Sequence, residues 1–300
     1  MAKGGRPAGP DGLAVVDKAA GWTSHDVVAK ARGLLGTRKV GHSGTLDPDA
    51  TGLLLLGVGK VTRLLKYLGL PSKTYTGVVV LGTATSTLDA SGEVTGTWDM
   101  AGVGHAEVAA AAAGLTGAIL QVPPMVSAIQ VEGRRLHELA REGIEVERAP
   151  RPVAVHTFTV GEAIEPGCFP IEVTCSSGTY IRSLAADVGS ALGGGAHLRD
   201  LRRTAIGSFT VDQAVPVEAL TPDVLLTPAA ALRDLTATAV DAAVAVAVGF
   251  GRVLPLEVLG ITGDGPWPIV GPGGDLLAVY EAHRDATAKP SVVLAAASEP

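Results

Sequence analysis

Aromatic side chains are scarce, at 4% of 300 residues, with four Tyr, four Phe and three Trp. Alanine, valine, leucine and glycine must therefore fill the core, and a tyrosine beside a polar motif stands out. Cysteine is scarcer still. Cys168 and Cys175 are too few for a disulfide framework, and no further Cys or His stands at zinc spacing around them, so they read as two buried thiols in a reducing cytoplasm. The seven histidines form no HxxxH or HExxH pattern, which argues against a metal catalyst. No apolar run reaches the ~18 residues that a membrane span needs, and MAKGGRPAGPDG at the start has no apolar signal core. The expectation is a cytoplasmic protein without membrane contact.

A basic surplus is also missing. The net charge of −6 argues at first against a nucleic-acid partner, but the charge is unevenly spread. Residues 205–300 hold four Lys and Arg against eleven Asp and Glu, which leaves residues 1–204 with 20 against 19. Within that first part, 23–66 carries seven basic residues against three acidic ones, and HLRDLRR adds Arg199, Arg202 and Arg203. A solvated helix face and a ligand surface explain such runs equally well.

The periodicity predicts a short strand and turn over 12–21, a helix capped by Thr23 or Ser24, a strand over 75–82, an alanine-rich helix over 105–115, strands over 153–160 and 170–175, and a helix from 181 to 192. Irregular interleaving of strands and helices implies an α+β domain on a mixed, largely antiparallel sheet with flanking helices. Prolines between 216 and 228 weaken the pattern, and a domain boundary is placed near 235. Beyond it, VAVAV, LPLEVLG, PWPIV and LLAVY read as strands of a small β-rich domain over 236–290, with a tail over 291–300 and a flexible N-terminus over 1–11.

What the chain does contain is GHSGTLDPDATGLL, residues 41–54. Near matches around it fail on specific letters. GVGKVT is not a phosphate loop, because Leu54 and Val61 stand where glycine and Ser or Thr are needed, and GHSGT is not a nucleophile elbow, because Thr45 replaces its second glycine. Asp47 and Asp49 remain. A turn accounts for LDPD, since Asp bonds its own backbone and Pro48 fixes φ. An exposed carboxylate on a rigid loop, kept ionised by a nearby arginine, accounts for it too.

The stretch GHSGTLDPDATGLL resembles the catalytic motif of pseudouridine synthases of the TruB family, which modify the T-loop uridine of transfer RNA. VDKAAGWTSHDVV (16–28) is similar to the family's N-terminal motif, KTYTGVVVLG (73–82) to its tyrosine-bearing strand, and SSGTYIRSL (176–184) to its arginine motif. VPPMVSAIQVEGRRLHELAREGIEVER (122–148) resembles its RNA-clasping insertion, set at 122–151, and GGGAHLRDLRRTAIGSF (193–209) the segment that follows the arginine motif. Leu55 and Ser86 depart from the common pattern, where proline and aspartate are frequent.

The resemblance implies the pseudouridine synthase fold over 12–235 with a PUA-like C-terminal domain, no cofactor, no metal, and tRNA, through its T-arm, as substrate. It implies Asp47 as nucleophile, Tyr75 stacked on the target uracil and assisting proton removal from C5, and Arg182 paired with Asp47. Tyr180 and Leu201 are expected to line the nucleotide pocket, His42 to pack on flipped-out nucleotides, and Lys18 to support the loop near the substrate. A monomer with no obligatory protein partner is expected. A guide-RNA-dependent synthase of the dyskerin type and a non-catalytic RNA-folding module are the alternatives; the AAGWTS start and the insertion favour the stand-alone enzyme over the first, and the intact Asp47, Tyr75 and Arg182 set favours catalysis over the second.

Overall fold

The computed structural model describes residues 9–294 except Ala128 and Glu132. Residues 1–8 of the expected flexible N-terminus and 295–300 of the expected tail lie outside the described residues. In chain order the first part runs β1 (Gly12–Lys18), α1 (Ser24–Leu34), β2 (Val40–Ser43), β3 (Thr51–Val58), α2 (Leu65–Leu68), β4 (Lys73–Leu81), β5 (Thr83–Thr85), β6 (Val94–Thr97), α3 (His105–Gly114) and β7 (Gly117–Gln121). It continues with β8 (Gln130–Val131), β9 (Arg134–Arg135), α4 (Leu136–Arg141), β10 (Arg151–Val160), β11 (Cys168–Cys175), α5 (Ile181–Ala191), β12 (Ala196–Ile206), β13 (Phe209–Thr210), β14 (Val215–Pro216) and α6 (Pro228–Ala231).

One sheet in the order β14-β1-β3-β12-β4-β11-β10-β7, with β2 added on β3 and β13 on β12, organises this part. Its pairings are antiparallel except β1 with β14 and β3 with β12. β3 explains why TGLLLLGV is apolar without alternation. Leu53 and Leu55 pack with Leu13 and Val15 on one face, while Leu54 and Leu56 pack with α1 on the other. A strand covered on both faces has no polar side to show, and each such leucine stabilises the fold by roughly 1.5–3 kcal/mol. α1 starts where Thr23 and Asp26 cap it reciprocally, the Asp26 amide donating to Thr23 Oγ1 at 3.1 Å and the Thr23 amide to Asp26 Oδ2 at 2.9 Å.

The segment holding HLRDLRR is neither a solvated helix face nor an open basic surface. It forms β12, a central strand, whose register slips between Arg199 and Arg202 and again between Arg203 and Ala205. Those irregularities erase the period of two that marks a strand. Each arginine is committed within the protein: Arg199 to Glu165 and Asp200, Arg202 to Asp17 as a two-bond fork at 3.1 and 2.7 Å, and Arg203 to backbone carbonyls.

The second sheet has the order β15 (Thr238–Ala239), β17 (Trp267–Val270), β18 (Leu276–Ala282), β19 (Thr287–Val293), β16 (Leu254–Pro255), joined by α7 (Ala242–Gly249) and α8 (Leu256–Leu259). Three expectations change here. VAVAV lies in α7, because Asp241 accepts from the Val244 amide at 2.8 Å and opens a helix rich in alanine. LPLEVLG is a two-residue strand leading into α8. Residues 291–293 are no tail: they belong to β19, paired with β18 from Ala278↔Val293 to Ala282↔Ala288. The sheets share a core, since Leu276, Val279, Val292 and Leu294 cluster with Leu64, Tyr67, Leu68 and Phe209. Polar bonds join the same faces: Lys66 Nζ and the Tyr67 hydroxyl donate to Glu281 Oε1 at 2.7 and 2.8 Å, and Arg63 donates to the Val293 carbonyl. No helix among the described residues is long and apolar enough to cross a membrane.

Candidate active site

The first three residues of the 41–54 stretch end β2, and the rest of the polar motif spans the turn into β3. Gly44 has φ +76° and Gly52 +99°, conformations that other residues adopt only with strain. At Gly52 there is a second reason, because a Cβ would lie 2.2 Å from the Arg203 carbonyl oxygen of β12. The loop is pinned on both sides of Asp47. Ser24 holds Leu46, its hydroxyl accepting from the Leu46 amide at 3.0 Å and donating to the Leu46 carbonyl at 3.2 Å. Lys18 Nζ donates to the carbonyls of Ala19, Trp22 and Pro48 at 3.0, 2.7 and 2.9 Å, and the Gly21 amide also reaches Pro48.

Asp47 Oδ2 lies 3.0 Å from Arg182 Nε, at the start of α5. Arg182 is 3% exposed, and the other nitrogens of its guanidinium donate to the Thr87 carbonyl at 2.7 Å and the Val126 carbonyl at 2.9 Å. The turn after β5 and the 122–151 insertion therefore both hold the same arginine. Asp89 completes the group, 3.6 Å from Arg182 Nε and itself fixed by Thr87 and Ser91. Burial pushes the Asp47 carboxyl above the usual carboxylate range; Arg182 pulls it back, and Asp89 pushes it further up.

Asp47 opens into a cleft of about 250 Å³ lined also by Tyr75, Tyr180, Leu201, Lys73 and Arg203. Tyr75 is buried on β4, opposite Arg203 in register. Burial raises its phenol, while the cation of Arg203 and a hydrogen bond from it lower it. Tyr180 caps α5, with its backbone amide and carbonyl both bonded to the Gln121 side chain. A second cleft adjoins the first through Asp47, Arg182 and Leu201 and is walled by Asp49, Asp89 and Arg199.

Of the residues expected from sequence, Asp47, Tyr75, Tyr180, Arg182 and Leu201 come together around one cleft. Lys18 and His42 do not line it. Lys18 is 1% exposed and gives its three donors to carbonyls, so it positions the loop from beneath; burial draws it down to about 8, opposed by Asp49 and Asp47. His42 stands on β2 edge-on to His25, ring centres 5.3 Å apart, and burial lowers its pKa. Its buried Nδ1 has no hydrogen-bond partner. Sequence reasoning missed three residues. Asp89 reads as an ordinary turn aspartate in STLDASG, Arg203 as one of a basic run, and Lys73 as a strand end. Arg203, 1% exposed, donates to the Leu53 carbonyl at 2.7 Å and to the Gly44 carbonyl at 3.0 Å.

A carboxylate on a cleft lined by charged and aromatic side chains, held by a planar guanidinium, is a preorganised oxygen nucleophile or base. Similarity to known proteins agrees with that chemistry. A protein named tRNA pseudouridine synthase B from Arthrobacter sp. (strain FB24) is 45% identical over 304 residues, covering 96% of this chain and 98% of the relative. One of the same name from Rhodococcus jostii (strain RHA1) is 50% identical over 277 residues, covering 90% of each. A chain from the crystal structure of a Cbf5-Nop10-Gar1 complex superposes with a TM-score of 0.71 at 26% identity, over 95% of this chain and 84% of that one. The profile described as TruB family pseudouridylate synthase, N-terminal domain, matches residues 32–181, and the tRNA pseudouridylate synthase B C-terminal domain matches 182–243. With cleft, fold and relatives in agreement, the chain belongs to the TruB family of pseudouridylate synthases.

Proposed function

We propose that the protein isomerises the T-loop uridine of tRNA to pseudouridine, with Asp47 as the reacting carboxylate and no cofactor. The observation that carries this reading is the Asp47–Arg182 pair at 3.0 Å on a cleft whose lining includes Tyr75. The reaction breaks the bond from C1′ to N1, turns the ring, and joins C1′ to C5, while a proton leaves C5 and one is gained at N1. Nothing is oxidised or hydrolysed. The carboxylate acts either on C1′ or on the proton at C2′, and both uses need the same ionised oxygen at the same place.

A uridine stacked in a folded loop must be extruded first, at a cost of a few kcal/mol, offset by stacking and phosphate contacts. Tyr75 supplies the stacking surface, and Tyr180 and Leu201 shape the pocket. His42, outside the cleft lining, takes the neighbouring flipped-out nucleotides. The 122–151 insertion clasps RNA by shape and selected arginines; its Val126 carbonyl bonds Arg182, which would couple RNA engagement to the position of the catalytic pair. The protein acts as a monomer in the cytoplasm, on bare tRNA. The strongly acidic C-terminal segment contributes little to phosphate binding. Identities of 45–50% to proteins named for tRNA, against 26% to the chain from a multi-protein complex, support the stand-alone reading over a guide-dependent one.

The test is unmodified tRNA incubated with purified protein and mapped for pseudouridine. Modification at the T-loop uridine alone is expected. No modification would overturn the reading, and modification only after a guide RNA and partner proteins are added would favour the guide-dependent alternative.

A further inference from the structure

Lys73 and Tyr75 leave the same face of β4, two residues apart, and both line the cleft that holds Asp47. Lys73 is 5% exposed. Its Nζ donates to the Gly69 carbonyl at 3.1 Å and to the Pro71 carbonyl at 3.4 Å, the second long for a charged donor. Among the described residues it has no carboxylate partner. Burial and the nearby Arg203 cation draw it down to about 8, so it remains mostly an ammonium at neutral pH. An unpaired buried ammonium is costly. A methionine would fill the same space without that cost.

The reaction supplies a partner for the charge. When the bond from C1′ to N1 breaks, its electron pair stays with the ring, and uracil becomes an anion spread over N1, O2 and O4. Both routes open to Asp47 leave this same anion. We propose that Lys73 is a further catalytic residue: its ammonium donates a hydrogen bond to a carbonyl oxygen of the detached uracil and stabilises the ring anion until C5 bonds to C1′. The ammonium keeps its proton throughout. The ring's negative charge is consumed as C5 attacks C1′, after which C5 loses its proton and N1 gains one. This assignment rests on the pseudouridine reading above.

Leaving-group dependence separates this role from a packing role. The full chain and its Lys73→Met and Lys73→Arg variants are compared in single-turnover reactions on tRNA carrying uridine or 5-fluorouridine at the target position. Fluorine withdraws electrons and stabilises the detached ring, and C5 then has no proton to lose, so the reaction is read up to the new carbon–carbon bond. Lys73→Met is expected to slow the uridine substrate by about 10²–10³-fold, the usual effect of removing a donor aimed at developing charge, and the fluorinated substrate by no more than about tenfold. Lys73→Arg, which keeps the charge, is expected to recover most of the rate, and tRNA affinity should stay within about twofold in both variants. Lys73→Gln carries the same comparison if Lys73→Met does not fold. Equal losses on both substrates, or no loss on either, would overturn the proposal. Absence of pseudouridine with the unaltered protein would instead overturn the reading on which it rests.

Discussion

Around the cleft, Lys18, Lys73, Arg182 and Arg203 are each at most 5% exposed and bonded to backbone carbonyls. In the five-stranded sheet, residues buried to the same degree include Trp267, Ile269, Leu276, Ala278, Val279, Tyr280, Ala288 and Val292. The two regions use burial for different ends. Buried cations raise the energy of the folded state and in return fix a positive field around the cleft; buried apolar groups give cohesion and no chemistry. The shared core around Tyr67, Leu68, Val279 and Val292 links the regions, so the part without chemistry helps to steady the part that has it.

The sharpest way to break this contrast is at the carboxylate. Asp47→Ala should abolish pseudouridine formation while leaving tRNA affinity within about tenfold, roughly 1.4 kcal/mol. Asp49→Ala, an exposed neighbour, should cost less than about threefold in turnover. Tritium release from C5-labelled uridine beside filter binding reads both; an Asp49 variant as inactive as the Asp47 one would mean that the wrong carboxylate is named. Arg182→Lys comes next, with turnover reduced roughly a hundredfold, because an ammonium cannot reproduce the fork that meets Asp47 and two carbonyls together.

Removal of the chain after residue 235 tests the other side. Sequence alone gives no reason to expect the upstream part to suffer, since every matched catalytic motif precedes that point. The shared core changes this. Exposing the faces of Leu64, Tyr67 and Leu68 should destabilise the remainder by about 4 kcal/mol, the worth of roughly two buried side chains. Where the fragment is still folded, in the cold, turnover at saturating tRNA should stay within about threefold. Urea titration and turnover on the same preparation decide; unchanged stability would mean that the two sheets do not depend on each other.

The smallest effect is on pH dependence. Lys18 and Lys73 both titrate at about 8 in the folded protein, below the ordinary lysine value of 10.5. Between those values the unfolded chain holds protons that the folded one has released, so stability from these groups rises with pH across that window and is lost as pH falls through about 8. Denaturation midpoints at several pH values should show this slope, diminished in Lys18→Met. An equal slope in that variant would place its origin elsewhere.

Much of the cleft is legible in the sequence because its residues sit in short contiguous motifs. GHSGTLDP, KTY and YIRSL each bring one chemical group with its local backbone, and Thr23 with Asp26 marks the start of α1. What escapes reading is charge buried by tertiary pairing. Nothing in LRDLRR separates Arg203, enclosed between β3 and β4, from Arg202, bound to Asp17 at the strand's side. Asp89 has turn chemistry whether or not an arginine stands 3.6 Å away. In α7, alternating valine and alanine suit a strand and a helix equally, and the Asp241 cap decides.

The place of β12 has a consequence for synthesis. β3 and β4 are consecutive along the main sheet path in the chain, yet β12 lies between them, and Arg203 of β12 reaches back to Leu53 and Gly44. A nascent chain carrying residues 41–81 thus has a gap where the middle of its sheet belongs. Folding must wait until residue 206 has left the ribosome, and contacts of such long sequence separation are slow to form. During that wait the leucines of β3 present a bare strand edge, and this interval is when the newborn protein most needs shelter from its own kind.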